Sequence, residues 1–75
     1  MKNEKTGFGV EDAITGNKYE GDYKSNKRNG WGKFTWADGW VYDGIWMMDK
    51  KHGPGKTVDT KGLIKYRIFK DDKPI

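Results

Sequence analysis

Several chemistries are excluded by what this 75-residue chain lacks. It has no cysteine, so no disulfide and no thiolate metal site can form. Its one histidine, His52, stands among scattered aspartates, and this arrangement predicts no metal site. Its one serine, Ser25, lies in a polar stretch without a nearby histidine base. We therefore expect no catalytic residue, no cofactor and no enzymatic activity.

Long hydrophobic runs are also absent. The longest contain three or four residues, as in Ile45-Trp46-Met47-Met48, whereas a bilayer-spanning helix needs ~20. The lack of cysteine fits a reducing compartment. We expect a soluble, cytoplasmic protein, and leave open an association with membrane or cytoskeleton.

Charge of one sign is not concentrated in any segment. Fifteen Lys and Arg oppose eleven Asp and Glu, for a net charge of +4, and the excess is spread thinly along the chain. The aromatic residues are abundant instead, at 15% of the sequence. A chain this small needs dense aromatic packing or a partner to stabilise a thin core.

The glycines reveal an internal repeat. All 11 follow one 23-residue register, in the columns Gly7, Gly30, Gly53; Gly9, Gly32, Gly55; Gly16, Gly39, Gly62; and Gly21, Gly44. The aromatic residues obey it too, because Tyr19 aligns with Tyr42, and Tyr23 with Trp46 and Phe69. Such a fixed period predicts an array of one supersecondary unit.

Each half of the unit alternates with period two, and the helical 3.6-residue spacing is missing. The sequence thus predicts an all-β, single-layer antiparallel meander without helices. About six strands are expected, near Phe8–Ile14, Lys18–Lys24, Trp31–Trp36, Trp40–Met47, Lys56–Val58 and Leu63–Phe69. Asp38-Gly39 and Lys61-Gly62 are expected to form tight turns, and the polar stretches 25–29 and 49–52 looser ones.

Glycine inside a strand needs a reason, because it packs nothing there. Gly21 and Gly44 each lie between two aromatic residues on the same face. We expect both to form slots in which rings of adjacent strands lie flat on the backbone. The glycines of the alternate strands, Gly30, Gly32, Gly53 and Gly55, are expected to do the same and to let the sheet twist.

The pattern Tyr-x-Gly-x-aromatic followed by Asn/His-Gly-x-Gly resembles the MORN (membrane occupation and recognition nexus) repeat. Two full units cover 19–41 and 42–64, with a half unit at 6–18 and a terminal strand or cap at 65–75. Lys65 and Arg67 replace the third Tyr-x-Gly. The last strand is therefore either a cap or shifted in register by one residue.

The resemblance implies a scaffold or docking module rather than one particular ligand. We predict a protein partner, as a peptide or helix in a half-open aromatic groove, or self-association. The predicted partner-binding residues are Tyr19, Glu20, Tyr23, Trp31, Trp36, Tyr42, Asp43 and Trp46. As an alternative, acidic phospholipid could bind the basic hairpin tips Lys27, Arg28, Lys50, Lys51 and Lys73. Single-stranded nucleic acid ranks third, because a hairpin array is not a cold-shock barrel.

Overall fold

The computed structural model describes residues 4–75, which form one open antiparallel sheet with its strands in chain order. The strands are β1 (Gly7–Asp12), β2 (Lys18–Lys24), β3 (Lys27–Thr35), β4 (Val41–Met47), β5 (Lys50–Val58), β6 (Ile64–Lys70) and β7 (Lys73–Pro74). No helix occurs in this part of the chain. The predicted helix-free hairpin meander is confirmed, with the short β7 as an added strand.

The assignment of tight and loose turns is wrong. The short connections are Ser25-Asn26, Met48-Asp49 and Asp71-Asp72, whose φ angles are all positive, between 50° and 71°. Two-residue turns with both φ positive match the twist of the flanking strands. The longer connections span 13–17, 36–40 and 59–63. Ser25 and Met48 have no marked preference for positive φ, so these residues did not indicate a tight turn. Because the turns are short, β3 and β5 begin earlier than predicted.

Gly30 and Gly53 produce bulges rather than ring slots. The register between β2 and β3 shifts after Gly21, and the register between β4 and β5 shifts after Gly44. Gly30, at φ 108°, and Gly53, at φ 78°, lie on the strands opposite these shifts. A bulge with glycine at positive φ increases local twist. Gly30 and Gly53 therefore let the sheet twist, as predicted, but do not form slots for rings.

The core lies on one face of the sheet, here called the ring face. Its five aromatic side chains are each at most 5% exposed: Tyr19, Tyr23, Tyr42, Trp46 and Phe69. Neighbouring rings meet edge to face, with centroids 5.2 to 5.7 Å apart. This geometry suits the quadrupoles of aromatic rings. The rings form one row across the sheet and replace the second layer of an ordinary domain.

Of the glycines predicted to form slots for rings, Gly32 and Gly55 do so, whereas Gly21 and Gly44 do not. A Cβ atom on Gly32 would collide with the Tyr19 ring, and one on Gly55 with the Tyr42 ring. At Gly44, a Cβ would lie 2.5 Å from the Gly55 Cα atom and 2.7 Å from the Tyr42 hydroxyl. Gly44, like Gly21, therefore permits close approach of the adjacent backbone, whereas each tyrosine ring lies on the glycine of the next strand.

Strand β6 keeps the register of the array. Phe69 pairs with Gly53, and Arg67 with Gly55, just as Trp46 pairs with Gly30. Phe69 is buried, and the alternate residues Ile64, Tyr66 and Ile68 are exposed on the opposite face. The last strand has therefore not slipped by one residue, which leaves the interpretation as a terminal cap.

Candidate partner-binding surfaces

The ring face is covered by cationic side chains that recur every 23 residues. Lys5 Nζ lies 5.3 Å from the Tyr23 ring, and Arg28 Cζ lies 4.6 Å from the Trp46 ring. Lys51 Nζ lies 4.9 Å from the Phe69 ring. These distances are typical of cation–π contacts. With these cations in place the five core rings offer almost no surface, and Tyr42 is 0% exposed.

An Asn or Asp in each tight turn holds the cationic residue of the preceding unit. The side chains of Asn26, Asp49 and Asp72 accept hydrogen bonds of 2.7 to 2.8 Å from the backbone N–H groups of Lys5, Arg28 and Lys51. The backbone N–H of each turn residue also donates to the carbonyl oxygen of the same partner, at 2.9 to 3.0 Å. The sequence analysis did not predict these paired hydrogen bonds, although the 23-residue spacing of Asn26, Asp49 and Asp72 indicates them.

The buried tyrosine hydroxyls act as hydrogen-bond donors. Tyr19 donates to the Asp22 carbonyl and Tyr42 to the Ile45 carbonyl, both at 2.8 Å. Burial raises the pKa of Tyr19 and of Tyr42 to about 12. These groups therefore remain protonated at neutral pH and stabilise the fold.

Tyr23 and Glu11 form a mixed pair at the first ring. Tyr23 donates to Glu11 Oε1 at 2.8 Å. Burial, together with this hydrogen bond, raises the pKa of Tyr23, and the same bond lowers the pKa of Glu11. The carboxylate therefore stays ionised and accepts the tyrosine proton without taking it.

The predicted partner-binding residues do not lie on one surface. Tyr19, Tyr23, Tyr42 and Trp46 are buried in the ring face, and Trp36 packs at its margin. By strand alternation, the other three lie on the opposite face of the sheet, here called the far face: Glu20, Trp31 and Asp43. Here Trp31 Nε1 donates to Asp43 Oδ1 at 2.7 Å. Glu20 and Asp43 therefore cannot border the same groove as the rings.

The far face carries an exposed apolar row across β3 to β6. Trp31 pairs with Ile45, and Pro54 pairs with Ile68. Trp31 is 43% exposed, Ile45 36% and Ile68 57%. A shallow depression beside this row is lined by Asp43, Pro54, Gly55, Lys56, Tyr66, Arg67, Ile68 and Ile75. We call Trp31, Ile45, Pro54, Ile68, Tyr66 and Ile75 the apolar patch.

A basic strip borders the far face at the tight turns. Lys24 pairs with Lys27, and Lys70 with Lys73. We call Lys24, Lys27, Lys50, Lys70 and Lys73 the lysine edge. None of them takes part in the three ion pairs found among residues 4–75. The five predicted basic residues of the hairpin tips therefore lie on different faces. Arg28 and Lys51 cover rings on the ring face, whereas the other three belong to the lysine edge: Lys27, Lys50 and Lys73.

The fold defines a class of protein, the single-layer β-hairpin repeat modules. The MORN-repeat family model matches residues 19–41 and 42–64, more than half of the chain, and the chain belongs to that family. No curated protein matched the sequence.

Neither a metal-binding cluster nor a membrane-spanning helix occurs among residues 4–75. No group of three His, Cys, Asp or Glu side chains is placed to hold a metal ion. No helix in this range is long and apolar enough to cross a membrane.

Proposed function

We propose that this chain is a non-catalytic binding module whose protein partner covers the apolar patch on the far face. The observation that carries the proposal is the contrast in exposure. Tyr66 is 79% exposed and Ile75 84%, while the aromatic core is closed on the other side. A contiguous apolar patch rimmed by polar groups is typical of protein interaction sites.

The surroundings of the patch favour a partner with acidic residues. The lysine edge runs along one side of the patch, and its ammonium groups have no ion-pair partner among residues 4–75. On the other side, Glu20, Lys33, Asp43 and Lys56 alternate in sign across four strands. A partner with acidic groups toward the lysines would complement both borders.

An aromatic-glycine groove is a weaker proposal for the partner site. Tyr19, Tyr23, Tyr42 and Trp46 offer almost no surface. A ligand on this side could reach only the margin of the ring face, where Phe34 and Trp36 are partly buried.

Site-specific photo-crosslinking tests the proposal. Benzoylphenylalanine in place of Tyr66 is expected to capture a partner in source cells, whereas the same group at Lys65, which pairs with Thr57 and lies on the ring face of the same strand, is expected to capture none. With the purified partner, Ile68→Asp should weaken binding by ~2 kcal/mol, as at an interface hot spot. Val10→Asp, on the far face of β1, is the matched control. Crosslinking from Lys65 alone would contradict the proposal.

Anionic phospholipid is a second candidate, supported by the lysine edge. Each lysine near an acidic bilayer contributes only ~1 kcal/mol, so attachment would be weak and salt-sensitive. Vesicles of phosphatidylserine and phosphatidylcholine should retain the native chain, and the triple variant Lys27→Glu, Lys50→Glu, Lys73→Glu should be released. Equal retention of both chains would remove this candidate.

A further inference from the structure

The two ends of the sheet each have an open edge. Within the part of the chain that the structure describes, the strands follow one another from β1 to β7, so β1 has a single neighbour, β2. At the other end, β7 pairs only with Phe69 and Lys70, and the Ile75 N–H donates to the Ile68 carbonyl at 2.8 Å. The outer side of β6 is therefore open over residues 64–67. Open edges expose backbone hydrogen-bonding groups to which another strand can pair.

The 23-residue register makes β1 and β6 complementary strands. β1 aligns with β3 and β5, whereas β6 aligns with β2 and β4. Inside the chain, strands of these two classes pair across a tight turn, β2 with β3 and β4 with β5. A second copy of the chain can therefore continue the sheet by placing its β1 beside β6. In the register of β2 with β3, Lys65 would lie opposite Glu11 of the second copy, and Tyr66 opposite its Val10.

On the far face, the two ends replace a charged pair by an apolar pair. The interior pairs at this level join an acidic residue to a lysine: Glu20 with Lys33, and Asp43 with Lys56. In β6 the acidic position holds Tyr66, and in β1 the lysine position holds Val10. Tyr66 is 79% exposed and Val10 55%, although a terminal cap normally presents polar groups. Contact between the two ends would remove apolar surface of both from water.

On the ring face, the exchange has the opposite sense. The interior pairs at this level join a tyrosine to an uncharged residue: Tyr19 with Phe34, and Tyr42 with Thr57. In β6 the tyrosine position holds Lys65, and in β1 the other position holds Glu11. Opposite charges directly across two strands are stabilising. Glu11 Oε2 also lies 3.3 Å from Lys5 Nζ of its own chain, but a carboxylate has lone pairs for a second ammonium group.

These exchanges favour the pairing of unlike ends over the pairing of like ends. Two β6 strands paired antiparallel about Tyr66 would place Lys65 opposite Arg67 of the other copy, and like charges directly opposite destabilise a strand pair. Two β1 strands paired about Val10 would place Phe8 opposite Asp12 and so leave Phe8 without an apolar neighbour. Only the unlike ends match on both faces of the sheet.

We infer that a second copy of this chain docks its β1 on the outer side of β6, so that copies associate head to tail. Such an interface gives rings or open chains of copies. The inference goes beyond the proposed function, because it concerns the edges of the sheet rather than the apolar patch. A second copy captured by crosslinking at Tyr66 or Lys65 is recognised by a product of twice the chain's mass, and it does not count as the proposed partner.

Strand β7 is the segment that has to move in this assembly. Pro74 aligns with Lys5 in the 23-residue register, so β7 lies in the path of the residues that precede β1 of the second copy. β7 makes two strand pairs, whereas β1 makes six and Lys5 is held by Asn26. Arg67 stands where the interior strands have glycine, so the copies would lie at ordinary strand spacing, with Gly9 of the second copy opposite the arginine.

Disulfide trapping tests the register, because the chain has no cysteine of its own. Chains with Val10→Cys and chains with Tyr66→Cys are mixed in a glutathione redox buffer. Directly opposed residues have Cβ atoms ~4.5–5.5 Å apart, near the ~3.5–4.5 Å of a disulfide. We expect the mixed dimer to exceed the share given by random pairing. Ala37→Cys, in the exposed connection 36–40, replaces Val10→Cys in the control and should give random pairing. An excess of either like-with-like dimer would overturn the inference.

Sedimentation equilibrium of the purified chain measures the affinity of the copies for one another. We expect the average mass to rise with concentration. Lys65→Glu sets like charges opposite each other, so it should weaken association about fivefold, the size of one cross-strand charge pair. Lys61→Glu, in the connection 59–63, makes the same change of charge away from the junction and should associate like the native chain. Circular dichroism checks that both variants fold. A native chain that stays monomeric up to its solubility limit, or equal association of the two variants, would overturn the inference.

Discussion

The two faces of this sheet have the same strands and opposite physical roles. On the ring face, the aromatic side chains are buried against glycine backbone and under cations of the same chain. On the far face, Trp31, Tyr66 and Ile68 remain exposed. A one-layer sheet can therefore build a core from a single face, which leaves the apolar side chains of the other face exposed. Four predictions test this division.

The largest effect is expected from removal of a tryptophan from the ring face. Trp46 contacts three aromatic rings and Arg28, and its Nε1 donates to the Gly32 carbonyl at 3.1 Å. Trp46→Ala should lower the free energy of unfolding by ~3–5 kcal/mol, as at other buried aromatic sites. Trp31→Ala, on the far face, should cost less than ~1 kcal/mol. Urea unfolding measures both, and equal losses would refute the division between the faces.

The next largest effect concerns the close backbone approach at glycine. A side chain at Gly44 would meet the Gly55 backbone and the Tyr42 hydroxyl, so Gly44→Val should destabilise by ~1–3 kcal/mol through overpacking. Gly9→Ala is the milder comparison, since its Cβ would lie 3.1 Å from the Tyr23 ring, which can shift. An unchanged thermal midpoint for Gly44→Val would show that the backbone contact is not required.

Because its tyrosine hydroxyls are buried, the folded chain is expected to lose stability at alkaline pH. Burial raises the pKa of Tyr19 and Tyr42 from 10.0 to about 12 in the folded chain. Below pH 10 both states are protonated, and this contribution to stability is fully present. Between pH 10 and 12 the unfolded chain releases protons that the folded chain retains, so stability falls as pH rises. Thermal midpoints measured over this interval should fall less for Tyr42→Phe, and parallel curves would argue against the assignment.

Much of this fold follows from residue spacing. The glycine register and the period-two alternation place Tyr19, Tyr42 and Phe69 on one face and Trp31 on the other. The coverage of the rings does not follow from them, because it depends on Arg28 and Lys51 folding back over the sheet. The positions of the tight turns were hidden for a different reason. Met48 adopts φ 50° under tertiary constraint and not from its own preference.

The smallest effect on stability is expected from the basic residues, which also allow the two faces to be compared at neighbouring positions of one strand. Lys27 and Arg28 are neighbours in sequence, yet by alternation the lysine projects from the far face, whereas Arg28 lies over Trp46. Reversing the charge of Lys27, Lys50 and Lys73 together should change the unfolding free energy by less than ~0.5 kcal/mol per site. Arg28→Gln should cost more, because it removes a cation–π contact of ~1 kcal/mol and the ion pair with Asp49. Circular dichroism with thermal unfolding compares the two variants. If the triple lysine variant loses more than ~0.5 kcal/mol per site, the lysine edge supports the fold, and the far face is not free for a partner in the way proposed.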